Sequence, residues 1–217
     1  MPSQLQPSGR VRGPNGFTIV ELMLATMVFG VILLVIAVGV VRFTSAYFKG
    51  ITSSKTQGTA RAIMLEAAQS IQFSKTVTTI PAAGVGGVQG VCVDNTLYSF
   101  VVSQQVTDAA PNGALHQGYH GLVVSNGACS PNLPATPTLP AGSRELLGQH
   151  MRLGAFDVSA KGKLYTIRIR VIYGDDDLLT PAVSAGTNWA TENCAGITGS
   201  QFCAVSDLTT TVEQRLL

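Results

Sequence analysis

Glu21 stands out first among the residues that could do chemistry, because it is an acid at the start of a long apolar stretch. Residues 17–41 read FTIVELMLATMVFGVILLVIAVGVV, and the 20 residues from Leu22 to Val41 contain neither a charge nor a proline. An unpaired carboxylate costs about 2.5–3.5 kcal/mol at the middle of a membrane and less near its edge. We therefore expect Glu21 either to have a cationic partner or to reach the lipid headgroups.

The cysteines form the second group. The chain has four, all after the apolar stretch: Cys92, Cys129, Cys194 and Cys203. An even number on one side of a membrane predicts two disulfides in an oxidising compartment, with unpaired thiols as the alternative. Four cysteines allow three pairings: one joins Cys194 to Cys203, which enclose eight residues of a glycine-rich loop, and Cys92 to Cys129, and the sequence does not exclude the other two. A zinc site is disfavoured because no CxxC pair is present.

Two further clusters carry charge near a predicted strand. Asp175, Asp176 and Asp177 offer oxygens of the kind that bind calcium, but consecutive side chains seldom point at one ion, so a solvated turn is favoured. Arg168 and Arg170 could contact nucleic-acid phosphates, although a solvated sheet face is the favoured interpretation. No nucleophile–base pair, phosphate-binding glycine loop or pair of catalytic carboxylates stands out. We therefore expect a protein that is not an enzyme and that has no cofactor.

The composition indicates a membrane segment joined to a loop-rich domain. Hydrophobic residues make up 46% of the 217 and charged residues 12%, against about 25% charged residues in soluble domains. Arg10 and Arg12 account for the formal net charge of +2, because removing them from the 14 basic residues leaves 12, against 12 acidic ones. The overall charge therefore does not indicate a nucleic-acid-binding protein.

The apolar stretch is long enough to cross a membrane, because 20 helical residues rise about 30 Å, the thickness of the hydrocarbon core. A secretory signal is shorter, and its small residue follows the apolar stretch, whereas Gly16 precedes this one. Arg10 and Arg12 before the helix predict a cytoplasmic N-terminus, and the cysteines predict that the rest lies outside.

The residues at the start of this helix resemble a known signal. The string GFTIVEL at residues 16–22 is similar to the cleavage and methylation motif of bacterial type IV prepilins and type II secretion pseudopilins. The resemblance implies cleavage between Gly16 and Phe17 by a prepilin peptidase and methylation of the new Phe17 amine. It also implies that Glu21 pairs with the amine of a neighbouring subunit during filament assembly. Such a pairing is physically reasonable, since cleavage creates a cation at the depth where Glu21 needs one.

The sequence predicts that the helix continues beyond the membrane segment 17–41 as an amphipathic helix over 42–76, interrupted or bent near Gly50 or Gly58. Major pilins commonly carry a proline in the middle of the apolar helix, and this chain has Gly30 and Gly39 there instead, so local unwinding still has a basis. The predicted apolar face of the second half comprises Tyr47, Phe48, Ile51, Ala62, Leu65, Ala68 and Ile71.

Residues 77–217 predict a β-rich head. The strand candidates are Val91–Val93, Leu97–Val102, Gly121–Ser125, Met151–Val158, Lys163–Tyr173 and Phe202 to about Val212. Turns are expected at Asp94–Asn95 and Ser159–Gly162, and Pro131 to Pro140 reads as an extended surface loop. The predicted fold is α+β and pilin-like: a long N-terminal helix, transmembrane in its first half, packed on an antiparallel sheet.

Together these features predict a minor pilin or pseudopilin, a structural subunit with a leader over residues 1–16. It would wait as a single-pass cytoplasmic membrane protein, N-terminus inside and head outside, and then enter an extracellular or periplasmic filament. The resemblance implies other pilin subunits, a prepilin peptidase, the inner-membrane assembly platform and membrane lipid as partners; DNA, through a competence pilus, is disfavoured. The alternative function is a membrane-anchored extracytoplasmic ligand-binding protein that does not polymerise. The missing helix proline and the cysteine-bearing head favour a minor over a major subunit.

Overall fold

In its described residues the chain is an α+β protein in which one long helix precedes two antiparallel sheets. The structure, a computed structural model, describes residues 17–81, 87–107, 120–127, 129, 133, 142–180 and 192–215. The chain divides into two compact units, Met1–Thr44 and Ser45–Leu217. The predicted class of one apolar N-terminal helix plus antiparallel strands is confirmed, but the prediction of a single sheet is wrong, since the strands form two.

Helix α1 runs from Ile19 to Gln72 without a break. The interruption predicted near Gly50 or Gly58 is absent, because the main-chain hydrogen bonds of a helix need no side chain and a glycine costs only about 1 kcal/mol relative to alanine.

The segment that directly follows α1 is held by hydrogen bonds to the side chain of Asp94. The helix ends before the boundary predicted at 76, and the carboxylate of Asp94 accepts hydrogen bonds from the N–H groups of Lys75, at 3.0 Å, and Thr76, at 2.8 Å. These bonds satisfy main-chain donors just after the helix, so the chain leaves α1 there and enters the first strand.

Within the second unit, α1 buries a different face from the one predicted. The buried positions are Thr52, Thr56, Ala60, Ile63, Met64, Ala67 and Ile71. Of the predicted face, Ile71 belongs to the core and Ala68 packs against it, whereas the other five residues are exposed, Leu65 by 70%. The prediction followed side-chain size, but the small side chains at Thr52, Thr56 and Ala60 recur every four residues, lie on one helix face, and permit close packing.

Sheet A contains five antiparallel strands in chain order: β1 (Val77–Ile80), β2 (Gln89–Val93), β3 (Thr96–Phe100), β4 (Leu122–Asn126) and β5 (Arg144–Glu145). The sequence interpretation missed β1 and β5, which have four and two residues and are too short to show a clear alternation. The turn at Asp94–Asn95 is confirmed, because Val93 pairs with Thr96 across it.

Sheet B contains β6 (Met151–Lys161), β7 (Leu164–Tyr173) and β8 (Ala204–Glu213), also antiparallel and in that order. The predicted β6–β7 hairpin is confirmed, but its turn is Gly162–Lys163 rather than Ser159–Gly162. Lys161 pairs with Leu164, and Gly162 has a φ of +66°, as the first central position of a type II′ turn requires.

The core lies between α1 and the two sheets. The ring of Phe156 on β6 packs against Tyr98 and Phe100 of β3, with ring centroids 5.8 and 5.4 Å apart. Ile167, Ile169 and Val171 on one face of β7 are fully buried, and Ile172 on the opposite face is fully buried as well. Two further hydrogen bonds join the end of sheet B to the end of the helix. Nε2 of Gln214 donates to the carbonyl oxygen of Ser74, and the N–H of Arg215 donates to the carbonyl oxygen of Gln72, both at 2.9 Å.

Candidate functional site

The first turn of α1 contains a reciprocal pair of hydrogen bonds. Thr18 is the residue before the helix, and its Oγ1 accepts a hydrogen bond from the N–H of Glu21 at 3.2 Å. In return, Oε2 of Glu21 accepts from the N–H of Thr18 at 3.0 Å and from its hydroxyl at 2.9 Å. This arrangement is a capping box, which satisfies main-chain N–H groups that the first turn of a helix leaves unpaired.

Glu21 therefore has a local role that the sequence interpretation missed. The signal was present, because T-x-x-E directly before an apolar run is the pattern of a capping box. The positive end of the helix dipole also favours a carboxylate in the first turn, typically by about 0.3–1 kcal/mol. Since Glu21 acts only as an acceptor in these bonds, capping the helix and pairing with a cation do not exclude each other.

Of the two residues that form the predicted cleavage junction, the structure describes only Phe17. Phe17 precedes the cap and exposes 84% of its surface, whereas Gly16 lies outside the described residues. An amine created at Phe17 would be a cation one residue before the cap, beside the positive end of the helix dipole. A nearby carboxylate would offset that unfavourable position.

The apolar segment of α1 is uncovered by the described chain. Every large apolar side chain from Ile19 to Val41 is exposed, with fractions between 47% and 78%. By length and composition this helix is able to cross a membrane, in agreement with the predicted membrane segment. Apolar surface left in water costs about 25 cal/mol per Å², so covering this segment with an apolar phase or apolar partners would be favourable.

The two disulfides predicted from the number of cysteines are present in the head. Cys92 is bonded to Cys129 and Cys194 to Cys203, with Cα atoms 6.0 and 5.6 Å apart, and no cysteine is free. The first bond ties β2 to the chain after β4, and the second closes the loop before β8. Zinc binding to these residues would require thiolates, which disulfides do not provide.

The three aspartates after β7 are exposed, as expected for a solvated turn, and two of them also have side-chain partners. Oδ1 of Asp175 accepts a hydrogen bond from Nε2 of Gln105 at 2.8 Å, which lowers the pKa of that carboxyl, and lies 3.0 Å from Nδ1 of His150. Oδ1 of Asp176 lies 2.7 Å from Nη1 of Arg152. Asp177 follows in a short 3-10 helix, Asp176–Leu178. Calcium binding at these carboxylates stays a prediction.

Arg168 and Arg170 also have partners. Arg168 donates from Nε and Nη2 to the carboxylate of Asp207, at 3.0 and 2.7 Å. Arg170 donates from Nη2 to the carbonyl oxygen of Glu192 and to Oδ1 of Asn193, both at 2.7 Å, and its side chain is only 14% exposed. The expectation of a solvated face is therefore wrong for Arg170. Bidentate pairing with Asp207 uses two of the five N–H donors of Arg168, and its side chain remains 35% exposed.

A buried ion pair lies in the same region, and no local sequence pattern predicts it. The side chains of Arg152 and Glu192 are 4% and 6% exposed, and Arg152 Nη1 lies 4.0 Å from Glu192 Oε2. Burial raises the pKa of Glu192. Arg152 also donates from Nη2 to the carbonyl oxygen of Gly174 at 3.1 Å. This network holds the chain around residues 192–193 against sheet B.

A polar recess of about 270 Å³ lies between α1 and sheet A. The hydroxyl groups of Ser70 and Tyr98 are hydrogen-bonded at 2.9 Å, and Arg144 pairs with Glu66 beside them. Burial raises the pKa of Tyr98. The recess offers hydrogen-bonding groups to a small polar molecule. Within the described ranges, no group of three or more His, Cys, Asp or Glu side chains could hold a metal ion.

Comparisons with protein-family models, with curated proteins and with solved structures found no match to this chain.

Proposed function

We propose that this chain is a minor pilin or pseudopilin, a structural subunit that assembles into a type IV pilus or a related filament through α1. The observation that carries the proposal is the first part of α1, where a capped Glu21 begins an apolar segment whose large side chains are all exposed. A prepilin peptidase would cut between Gly16 and Phe17 and methylate the new amine.

The apolar segment then has two successive environments. Before assembly, lipid covers it in the cytoplasmic membrane; after assembly, the same segments of neighbouring subunits cover it. In the second environment Glu21 of one subunit accepts a hydrogen bond from the Phe17 amine of another while it still caps its own helix. A charge-assisted hydrogen bond in such surroundings contributes about 1.5–3 kcal/mol, and it fixes the axial position of one helix against the next.

The head is consistent with this function. An α+β layout with a long apolar N-terminal helix is compatible with a pilin-like architecture, and two disulfides suit an extracytoplasmic compartment. In the proposed subunit the head has no catalytic role.

A second function, an anchored ligand-binding protein that does not polymerise, is favoured by the polar recess beside Tyr98. The two functions differ in the fate of the chain. A binding protein stays in the membrane fraction, whereas a filament subunit also enters material that shearing releases from the cell surface.

The test is to express the full chain with and without a prepilin peptidase and to analyse its N-terminus by mass spectrometry. We expect a mature chain that begins at Phe17 and carries one methyl group when the peptidase is present, and an uncut chain when it is absent. With the assembly machinery also present, the mature chain should be found in sheared filaments. A mature chain that begins elsewhere, or that never leaves the membrane fraction, would contradict the proposal.

A further inference from the structure

We propose that the head binds an extended segment of another protein by strand addition along the outer edge of β8, Ala204–Glu213. The outer edge is the side of β8 that does not pair with β7. The partner would add one strand to sheet B, with apolar side chains on the face toward α1 and basic side chains on the opposite face. The inference concerns only the second unit, Ser45–Leu217, and does not depend on the proposed function.

The strands at the edges of the two sheets differ in how they are protected. Unpaired edges invite pairing with other chains, and proteins usually shorten, bulge or cover them. β1 and β5 have only four and two residues. The N–H groups of Ser103 and Val106 donate to carbonyl oxygens of β6 at 2.9 and 2.8 Å, and β6 is bulged after Leu153. These three edges leave little room for a further strand.

β8 shows none of these protections in the part of the chain that the structure describes. It has ten residues, neither proline nor lysine among them, and its pairing with β7 contains no bulge. The threonines Thr209–Thr211 and the valine after them favour an extended chain. The outer edge pairs with no other described strand. A long, regular edge of this kind is suited to strand addition.

The direction of the main-chain groups of β8 follows from a bond just beyond the strand. The N–H of Gln214 donates to the carbonyl oxygen of Lys163 at 2.9 Å, on the side of β7. In a regular antiparallel pair, successive residues alternate between bonding to one neighbour and bonding to the other. The even-numbered residues of β8 therefore bond to β7, and the N–H and C=O groups of the odd-numbered residues point to the outer edge. These residues are Val205, Asp207, Thr209, Thr211 and Glu213.

An apolar strip beside this edge indicates which side chains the partner carries toward α1. Leu208 and Val212 pack against the core but are only partly buried. The N–H of Arg215 donates to the carbonyl oxygen of Gln72, so β8 ends beside that turn of α1. Leu65 precedes Gln72 by seven residues, about two helical turns, and therefore lies on the same side of α1, 70% exposed. Apolar side chains of an added strand would cover this margin of the core.

The charges of β8 favour a different chain over a second copy of this one. Its charged residues are Asp207 and Glu213, both acidic and both on the face turned away from the core. Two β8 strands paired with each other would gather four carboxylates on that face, where like charges destabilise a sheet. Arg168 on β7 shows the favourable arrangement, because it pairs with Asp207. The partner is therefore a strand of alternating apolar and basic residues.

A peptide with the sequence of β7, Leu164–Tyr173, is the probe, because β7 has this chemistry and pairs with β8 over ten residues. The peptide alternates Ile167 and Ile169 with Arg168 and Arg170. One control peptide has the same composition without the alternation, and a second has glutamate in place of both arginines. Binding to the full chain in detergent is measured by hydrogen exchange resolved to single amides, at several protein concentrations.

Two substitutions in β8 obstruct the outer edge but keep the bonds to β7. Thr209→Pro removes an N–H that points away from β7, a position where edge strands tolerate proline. Thr211→Lys places a positive charge on the exposed face, where it repels a basic strand. The matched control is Thr78→Lys, which changes an exposed threonine on β1. Unchanged exchange at the buried Ile167 and Ile169 confirms the fold of each variant.

Without peptide, we expect the odd-numbered amides of β8 to exchange about tenfold faster than the even-numbered ones or more, since only the latter bond to β7. Saturation with the β7 peptide should slow the odd-numbered amides by a similar factor. Thr209→Pro and Thr211→Lys should weaken binding by about tenfold, and Thr78→Lys should bind like wild type. Both control peptides should bind more weakly than the β7 peptide.

Four results would overturn the inference. The first is a β7 peptide that does not bind, and the second is binding that leaves the odd-numbered amides unprotected. The third is slow exchange of those amides without peptide: if it is independent of protein concentration, another segment of the chain covers the edge, and if it grows with concentration, a second copy is the occupant. The fourth is equal binding of the glutamate peptide, which would contradict a basic partner.

Discussion

Replacing Glu21 by glutamine separates the two roles that this residue has in the structure and in the proposed filament. A capping box accepts either glutamate or glutamine at this position, so the amide oxygen of Glu21→Gln can still accept from the N–H of Thr18. The substitution removes the negative charge, and with it the ion pair with a neighbouring amine. Glu21→Ala removes both.

The expected magnitudes differ enough to be measured. Loss of a capping interaction costs about 0.5–2 kcal/mol of helix stability, which α1 can tolerate over its 54 residues. Loss of a charge-assisted hydrogen bond costs about 1.5–3 kcal/mol. At 1.4 kcal/mol per factor of ten, the association constant of each subunit should fall by about 10- to 150-fold.

The assay compares the amount of mature chain in sheared filaments with the amount in the membrane for four chains: wild type, Glu21→Gln, Glu21→Ala and Thr18→Val. Thr18→Val removes the hydroxyl that accepts from the Glu21 N–H but keeps the carboxylate. We expect Thr18→Val to assemble and both Glu21 variants to remain in the membrane after normal cleavage. If Glu21→Gln assembles like wild type while Thr18→Val fails, Glu21 acts only as a cap and the ion pair is refuted.

Three further predictions concern the head, and each is measured by denaturant unfolding of the full chain in detergent. Replacing both cysteines of one disulfide by serine should lower the free energy of unfolding by about 3.8 kcal/mol for Cys92–Cys129 and about 2.6 kcal/mol for Cys194–Cys203. The costs differ because the sequence separations are 37 and 9, and the longer loop loses more entropy when it is closed. An inverted order would contradict this explanation. Gly154→Ala should lower the free energy of unfolding by about 1–3 kcal/mol, since the new Cβ would lie 2.9 Å from Arg170 and from the buried Ile172. The control Gly196→Ala, which has open space around it, should change stability by less than about 0.5 kcal/mol. Equal effects of the two substitutions would show that the strand at Gly154 adjusts freely. Hydrogen bonds from Thr76 lower the pKa of Asp94, so the contribution of this carboxylate to stability is present above the pKa of the unfolded state and is lost as pH falls through the folded pKa. Asp94→Asn should therefore make the free energy of unfolding depend less on pH on the acid side. An unchanged dependence on pH would refute this assignment.

The sequence predicted best the features that depend on local patterns. The apolar run predicts the long helix, and the alternation of apolar and polar residues predicts β7 with its buried Ile167 and Ile169. The Asp94–Asn95 turn between two short apolar runs gave the β2–β3 hairpin. In each case neighbouring residues carry the whole signal, so tertiary contacts are not needed to read it.

Features that depend on distant contacts were not predictable. The buried face of α1 is set by the sheets packed on it, and so Leu65 is exposed while Thr56 is buried. The pair of Arg152 and Glu192 joins residues 40 positions apart, and neither residue is in a local pattern that indicates burial. Division of the strands into two sheets likewise depends on how the chain crosses between them.

The capping box is different, because its local signal was present. The residues T-x-x-E form part of the predicted cleavage motif, and the same four residues also specify a helix start.

The bonds from Gln214 and Arg215 to the end of α1 also set the order in which the second unit can close. β8 begins more than 130 residues after Gln72, so a growing chain that already contains α1 still lacks the strand that completes sheet B. Until β8 is made, the edge of β7 remains unpaired and open to other strands. The second unit is therefore exposed to mispairing until synthesis has passed residue 215.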